Sequence, residues 1–244
     1  MKLMVCPHDT AKDPDKWFLF AAYLSKKFQI STKYCQCMDF AEFHDKMTEA
    51  DIIYANPQDS LTLVEVYDYI PLVHSTNLYD EIVYIANSEV ENQSILALYN
   101  QDCISCNQMM VTRVGLKALK EQHLLPAKIL NRDSWLAVLT AVYKGEKLFG
   151  FLYKDFYDGL NKLSRSLIVK LGQTQDKTIY HSLFIKKELL DQAQYYTDIL
   201  TSAHQEEDGK TVLAKLNIEQ FIPTTINEIK QFSRLLSVAS EIME

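Results

Sequence analysis

Cys103 and Cys106 stand in C-x-x-C spacing, with Asp102, Ser105 and Asn107 around them. A thiol at a helix N-terminus ionises more easily than usual and can serve as nucleophile, redox centre or soft-metal ligand. One such pair gives two ligands. A structural zinc site needs four, and the chain has no second C-x-x-C. Cys6 and His8 are the donors available to complete a site. The plainer expectation is that Cys106 packs under the helix and Cys103 lines an organic pocket, since free cysteine behaves as a small hydrophobe. His8 beside Asp9 offers acid–base or ligand chemistry, or a solvated loop. Tyr54, Asn56 and Gln58 cluster where a strand ends; an aromatic flanked by amides suits a small polar ligand, and Asn56 equally suits a helix cap. Cys35 and Cys37 are expected in the core on one strand face. No Ser-His-Asp order, Gly-rich phosphate loop or HExxH motif is present, so no residue is assigned a catalytic role.

The elements that must position these residues follow from periodicity. Ser94 to Tyr99 is an apolar run that reads as a buried strand, and Met109 to Leu119 carries apolar residues at helical spacing. The segment from Asp102 to Asn107 is then expected to be the loop entering that helix, where unpaired N–H groups and the helix dipole favour an anion. Before it, strands are expected at residues 2–6, 30–37, 51–54, 70–74 and 81–86, with helices from Pro14 to Phe28, after an Asp39 cap, and from Gln58 to Tyr67. After it come strands at 127–130, 147–153, 167–171 and 179–185. Helices are expected after Ser134, closed by Gly145, and at 155–163, 187–203, 209–216 and 224–243. Alternating βα units imply a parallel-rich sheet with helices on both faces, in two groups. Ligands of such sheets lie beyond the carboxyl ends of the strands, which here selects Pro7 to Thr10, Tyr54 to Asp59, Asn100 to Asn107 and Tyr153 to Asp155.

Composition narrows the function. The chain has 244 residues, 48% hydrophobic and 23% charged, which is ordinary for a globular α/β protein. A net charge of −7 argues against sequence-independent nucleic-acid binding. No apolar run approaches the length of a membrane span. Five cysteines cannot all pair and suggest no disulfide framework. No secretory h-region opens the sequence, as expected of a cytoplasmic chain or of one whose signal segment was removed.

Several segments, taken in order, resemble the phosphonate/phosphate-type substrate-binding proteins of ABC transporters. VCPHDTAKDPDKWFLFAAYLSKKF is similar to that family's opening strand, Pro loop and long helix. ADIIYANPQDSL is similar to its strand, aromatic and Gly-Pro segment, with Asn56 in place of the glycine. YIPLVHST and EIVYIANSEVEN resemble its crossing strands, and SWLAVLTAVYKGEKLFGFLYKDFYDGL its helix, glycine, strand and polar turn. The resemblance implies an α/β, two-lobed type II periplasmic-binding-protein fold, each lobe a mostly parallel sheet flanked by helices, with the ligand cleft between lobes. Residues 1–80 and 181–244 would form lobe 1 and residues 81–180 lobe 2, with hinge bending around Ser75 to Ser88 and Gly172 to Tyr180.

The family's Ser/Thr-rich oxyanion loop corresponds to residues 102–107 here, where Ser105 is the one hydroxyl. Tyr153 and Asp155 stand where some members hold a ligand amine, and His181 where members place ligand contacts. The implied ligand-binding set is His8, Asp9, Thr10, Tyr54, Asn56, Gln58, Cys103, Ser105, Cys106, Asn107, Tyr153, Asp155 and His181. The expected function is a solute-binding protein for a phosphonate, phosphate or similar small anionic or polar metabolite, without a cofactor. Its partner would be an ABC permease or, in a sensor, a downstream signalling domain. Its place would be the periplasm if a signal segment was cut away and the cytoplasm otherwise. Two alternatives are a cytosolic enzyme on the same fold, resembling those of menaquinone or thiamine-precursor synthesis, and a thiophilic metal or metalloid binder through Cys103 and Cys106.

Overall fold

The computed structural model describes residues 1–10 and 13–243, with only the backbone of Thr10. The chain forms two compact units. The first comprises residues 1–79 and 180–232, the second residues 80–179 and 233–244.

The first unit is built on six strands: β1 (Lys2–Val5), β2 (Lys33–Cys35), β3 (Ile52–Ala55), β4 (Ile70–Ser75), β10 (Ser182–Ile185) and β11 (Phe221–Pro223). Their order is β11-β4-β10-β3-β1-β2. β1 pairs in parallel with both β2 and β3. β10 returns late in the chain and inserts antiparallel between β3 and β4. The N-terminal end of β10 therefore lies against the carboxyl ends of β3 and β4, through the pairs Ser182–Ala55 and Ser182–His74. Helix α1 (Pro7–Thr10) is a single turn after β1, and α2 (Asp15–Phe28) follows it. Trp17, Phe20, Leu24 and Phe28 line the face of α2 that packs with Leu3, Val5, Ile52, Leu183 and Tyr196 into one apolar core.

Helix α3 (Phe40–Lys46) starts at the expected cap, the Asp39 side chain accepting from the Glu42 N–H. α4 (Pro57–Glu65) begins with Asn56 as its cap and Pro57 in the first turn.

The second unit has five strands: β5 (Ile82–Asn87), β6 (Asp102–Ser105), β7 (Lys128–Asn131), β8 (Phe149–Tyr153) and β9 (Ile168–Gln173), in the order β7-β6-β8-β5-β9. β6 pairs in parallel with β7 and β8, while β5 runs against β8 and β9. Helices α5 (Met110–Glu121) and α6 (Trp135–Tyr143) flank this sheet. Tyr84 and Phe151 meet edge-on at 5.0 Å beneath α5, and the Tyr84 hydroxyl donates to the Gly115 carbonyl at 2.8 Å. The Ser134 hydroxyl caps α6, and Gly145, at φ 72°, ends it in the left-handed conformation that glycine adopts without penalty.

Short helices α7 (Lys154–Asp158) and α8 (Lys162–Arg165) lead into β9. In the first unit α9 (Ala193–Ser202) and α10 (Glu207–Lys215) precede β11, and α11 (Ile226–Gln231) follows it. α9 and α10 pack on α2.

Several elements depart from the sequence reading. Ser94 to Tyr99 is not a strand: Ile95–Leu98 is a 3-10 turn. The strand is Asp102–Ser105, within the segment expected to be a loop. The expected helix 224–243 stops at Gln231, tightens into 3-10 turns at Phe232–Ser237 and Ser240–Ile242, and reverses at Ala239 (φ 49°). This tail joins the second unit, where Arg113 donates to the Val238 carbonyl at 3.2 Å and Met243 bridges to Ile129.

Candidate functional site

In the first unit, polar side chains gather at the carboxyl ends of β1 and β3. Cys6 directly follows β1, its N–H donating to the Tyr54 carbonyl at 2.9 Å. α1 then turns Asp9 back over the strand end, its N–H donating to the Cys6 carbonyl at 3.1 Å. His181 arrives on the chain just before β10. The result is a tight cluster: the Cys6 thiol donates to Asp9 Oδ2 at 2.9 Å, His181 Nδ1 lies 2.8 Å from the same oxygen, and Cys6 Sγ lies 3.8 Å from His181 Nδ1. Tyr54 stands beside the imidazole, with 5.5 Å between ring centroids, and Trp17 covers Tyr54 at 4.8 Å. The Trp17 indole N–H donates to the Asp9 carbonyl at 3.1 Å.

Burial, the Asp9 charge and the weaker opposing pull of His181 together set the Cys6 thiol at about 12. It is therefore a neutral hydrogen-bond donor at physiological pH. Burial pushes the Asp9 carboxyl up, but the His181 charge and the hydrogen bonds from His181 and Cys6 outweigh it, leaving Asp9 below the usual carboxylate range. Thiol and carboxylate both meet the same imidazole nitrogen. A nucleophilic triad needs them on opposite nitrogens, so the cluster is not wired to relay a proton from sulfur.

The neighbouring strand end is a structural cap. Asn56 Oδ1 accepts from the Asp59 N–H at 2.9 Å, and the Asn56 amide donates to Asp59 Oδ2 at 2.6 Å. His44 Nε2 lies 2.8 Å from the other Asp59 oxygen. Gln58 is exposed, and His8 is half-buried with its ring on Phe40 at 4.7 Å. The side chain of Thr10 lies outside the described residues.

In the second unit the expected anion loop is differently occupied. Cys103 lies in the middle of β6 and Cys106 just beyond its end, both buried. Burial, together with the nearby Asp102, raises Cys103 well above the ordinary thiol value, and burial with Asp133 sets Cys106 at about 12. The lowered thiol pKa expected of a helix N-terminus is absent because both thiols are buried, Cys103 within β6 and Cys106 four residues before α5 begins. The Ser105 hydroxyl is buried at 2.8 Å from Thr112 Oγ1, which in turn donates to the Cys106 carbonyl at 2.8 Å. Asn107 is tied to β7 through the Asn131 side chain and the Ile129 carbonyl. The first turn of α5 has no side-chain cap. At the end of β8 the Tyr153 hydroxyl donates to Asp80 at 3.0 Å and to Asp155 at 3.3 Å, with Trp135 6.2 Å away.

Thus the structure brings Asp9, Tyr54 and His181 together in one unit, and separately gathers Tyr153 with Asp155. It assigns Asn56 to a cap and leaves Gln58 apart. Cys6 and Asp80 are the cluster members missing from the sequence-derived set. Cys6 was signalled by its place at a strand end before proline; Asp80 carried no signal, because its partner is 73 residues away.

A family model for the periplasmic substrate-binding proteins of phosphonate ABC transporters matches residues 4–228. The chain belongs to this family. No curated protein matches this substrate-binding protein by sequence comparison. Its fold is similar to PhnD1 from Prochlorococcus marinus in complex with methylphosphonate, at 14% identity, 96% of each chain covered and a TM-score of 0.73. It is also similar to XAC2383 from Xanthomonas citri bound to chloride ion, at 12% identity, covering 99% of this chain and 98% of that one, TM-score 0.71. The periplasmic aliphatic sulphonate binding protein SsuA from Escherichia coli matches at 9% identity, covering 99% and 94%, TM-score 0.66. These likenesses identify the type II periplasmic-binding-protein fold. Among the described residues no helix of this substrate-binding protein is long and apolar enough to cross a membrane.

Proposed function

We propose that this substrate-binding protein captures a small oxyanion-bearing solute, of the phosphonate, phosphate or sulfonate class, and delivers it to an ABC permease on the periplasmic side of the membrane. The observation that carries this reading is the uncapped N-terminus of α5, at the carboxyl end of β6 in a family whose members bind such solutes. Backbone N–H groups there supply a dipole-assisted anion cradle that needs no hydroxyl side chain. This matters because Ser105 and Thr112 are spent on each other. Asn107 flanks the cradle. The Asp80–Tyr153–Asp155 group suits a cationic substituent on the same solute, such as an amine.

The two tryptophans make this testable without labels. Trp17 hydrogen-bonds the Asp9 carbonyl and Trp135 lies beside Tyr153, so each unit carries its own reporter. Titration with methylphosphonate, 2-aminoethylphosphonate, phosphate and an alkylsulfonate should give a saturable emission change. Trp135→Phe should remove the contribution of the second unit. Absence of any saturable change, together with no retention of these solutes in equilibrium dialysis, rejects the oxyanion reading.

A further inference from the structure

We infer that Cys6, Asp9 and His181 form a binding site for a single divalent transition-metal cation of zinc type, with a fourth coordination position open. This goes beyond the solute reading above and does not depend on it. Among the described residues these three side chains are a group of thiol, carboxylate and imidazole donors whose ligand atoms all lie within 4.8 Å of one another. The separations are 2.9 Å from sulfur to carboxylate, 3.8 Å from sulfur to imidazole and 2.8 Å from carboxylate to imidazole. Zinc bonds of ordinary length in a tetrahedron would set the donors roughly 3.3–3.6 Å apart. The two short edges are hydrogen bonds, so a cation replaces protons there and opens each edge by about 0.5 Å.

The donor set selects the ion. A thiolate excludes magnesium and calcium, which take oxygen ligands, and one sulfur with one nitrogen and one carboxylate oxygen suits zinc. Charge also balances. A thiolate and a carboxylate neutralise a dication, so the occupied site has no net charge, as a buried site requires. Cys6 is fully buried and His181 nearly so, whereas the Asp9 side chain is 25% exposed, which places the entry path and the open position on the Asp9 side. The positions are held before any ion arrives. Cys6 is fixed by its N–H bond to β3, Asp9 by the α1 turn and the Trp17 indole, and His181 by β10 and the Tyr54 ring. The C-x-x-C pair differs: no third donor joins Cys103 and Cys106 in such a group among the described residues.

The test uses cobalt(II) as a spectroscopic stand-in, added to the full, reduced chain. One equivalent should bind and produce a near-ultraviolet thiolate-to-cobalt absorption with visible bands of a four-coordinate site. Zinc(II) should displace it. Cys6→Ser should abolish the thiolate absorption, and Asp9→Asn or His181→Ala should weaken zinc binding by about tenfold or more. Cys103→Ser and Cys106→Ser should each leave the spectrum intact. If Cys6→Ser does not fold, the unaltered chain and the last two variants still decide. A chain that takes up cobalt without a thiolate band, or whose band disappears with Cys103 or Cys106, overturns the assignment.

Discussion

Asp9 Oδ2 accepts the Cys6 thiol and lies 2.8 Å from His181 Nδ1. This carboxylate–imidazole contact spans 172 positions of the chain. Only the insertion of β10 beside β3 brings them together. Ser105 shows the opposite outcome. A loop and helix start around it would present its hydroxyl to an anion; as part of β6 it turns inward to Thr112. Ser105→Ala should therefore act on stability. Losing this buried pairing costs about 1 kcal/mol, which lowers the melting temperature by roughly 2–4 °C in a chain of this size; an unshifted melting curve would contradict the packing described.

His74 offers a second residue-scale test. It is buried, stacked on Tyr180 at 3.7 Å, with Tyr79 nearby and its Nδ1 2.8 Å from the Ser75 carbonyl. Burial holds its pKa below the ordinary histidine value, against the opposing pull of the Ser75 carbonyl and Glu228. The unfolded chain thus takes up this proton first as pH falls. Stability is full above about pH 6.5 and is lost as pH drops from there through the lower folded-state pKa. Urea denaturation from pH 7.5 to 5 should show a shallower decline for His74→Gln than for the unaltered chain; parallel curves would remove His74 as a cause.

At the scale of elements, caps were legible and short strands were not. Asp39, Ser134 and Gly145 mark helix ends because capping is a local bond between near neighbours. Ser94 to Tyr99 misled because its apolar content suggested burial, although Leu96 and Tyr99 are 63% and 60% exposed and Leu98 alone is fully inside. β6 is four residues containing Asp102 and Ser105, and its strand character comes from pairing with β7 and β8. β11 is three residues ending in Pro223 at the edge of its sheet, a pattern that reads as a loop. The turn between α9 and α10 depends on one small residue. A Cβ at Gly209 would fall inside contact distance of the Ala203 carbonyl, which is backbone and cannot swing away. Gly209→Ala should cost about 1–3 kcal/mol or more, read as a lower urea midpoint with an unchanged slope. A variant as stable as its parent would show that the turn relaxes freely.

For the whole molecule, the βα alternation and the return of the last third of the chain to the first sheet were legible, because they rest on the order of elements. The crossings at 79–80, 179–180 and 232–233 divide the chain into its two units. The second unit's ownership of residues 233–244 was not legible, since a short apolar tail carries no mark of the surface it will pair with. Family membership across residues 4–228 fixes the kind of protein. The most direct test of the solute reading is thermal denaturation of the reduced, metal-free chain with phosphate, phosphite, alkyl- and aminophosphonates, sulfonates and carboxylates. A solute at 100 times its dissociation constant adds about 2.7 kcal/mol, a rise of roughly 5–10 °C. We expect that rise with at least one phosphonate, phosphate or sulfonate. A rise only with carboxylates, or with none of the panel at millimolar concentration, would contradict the account.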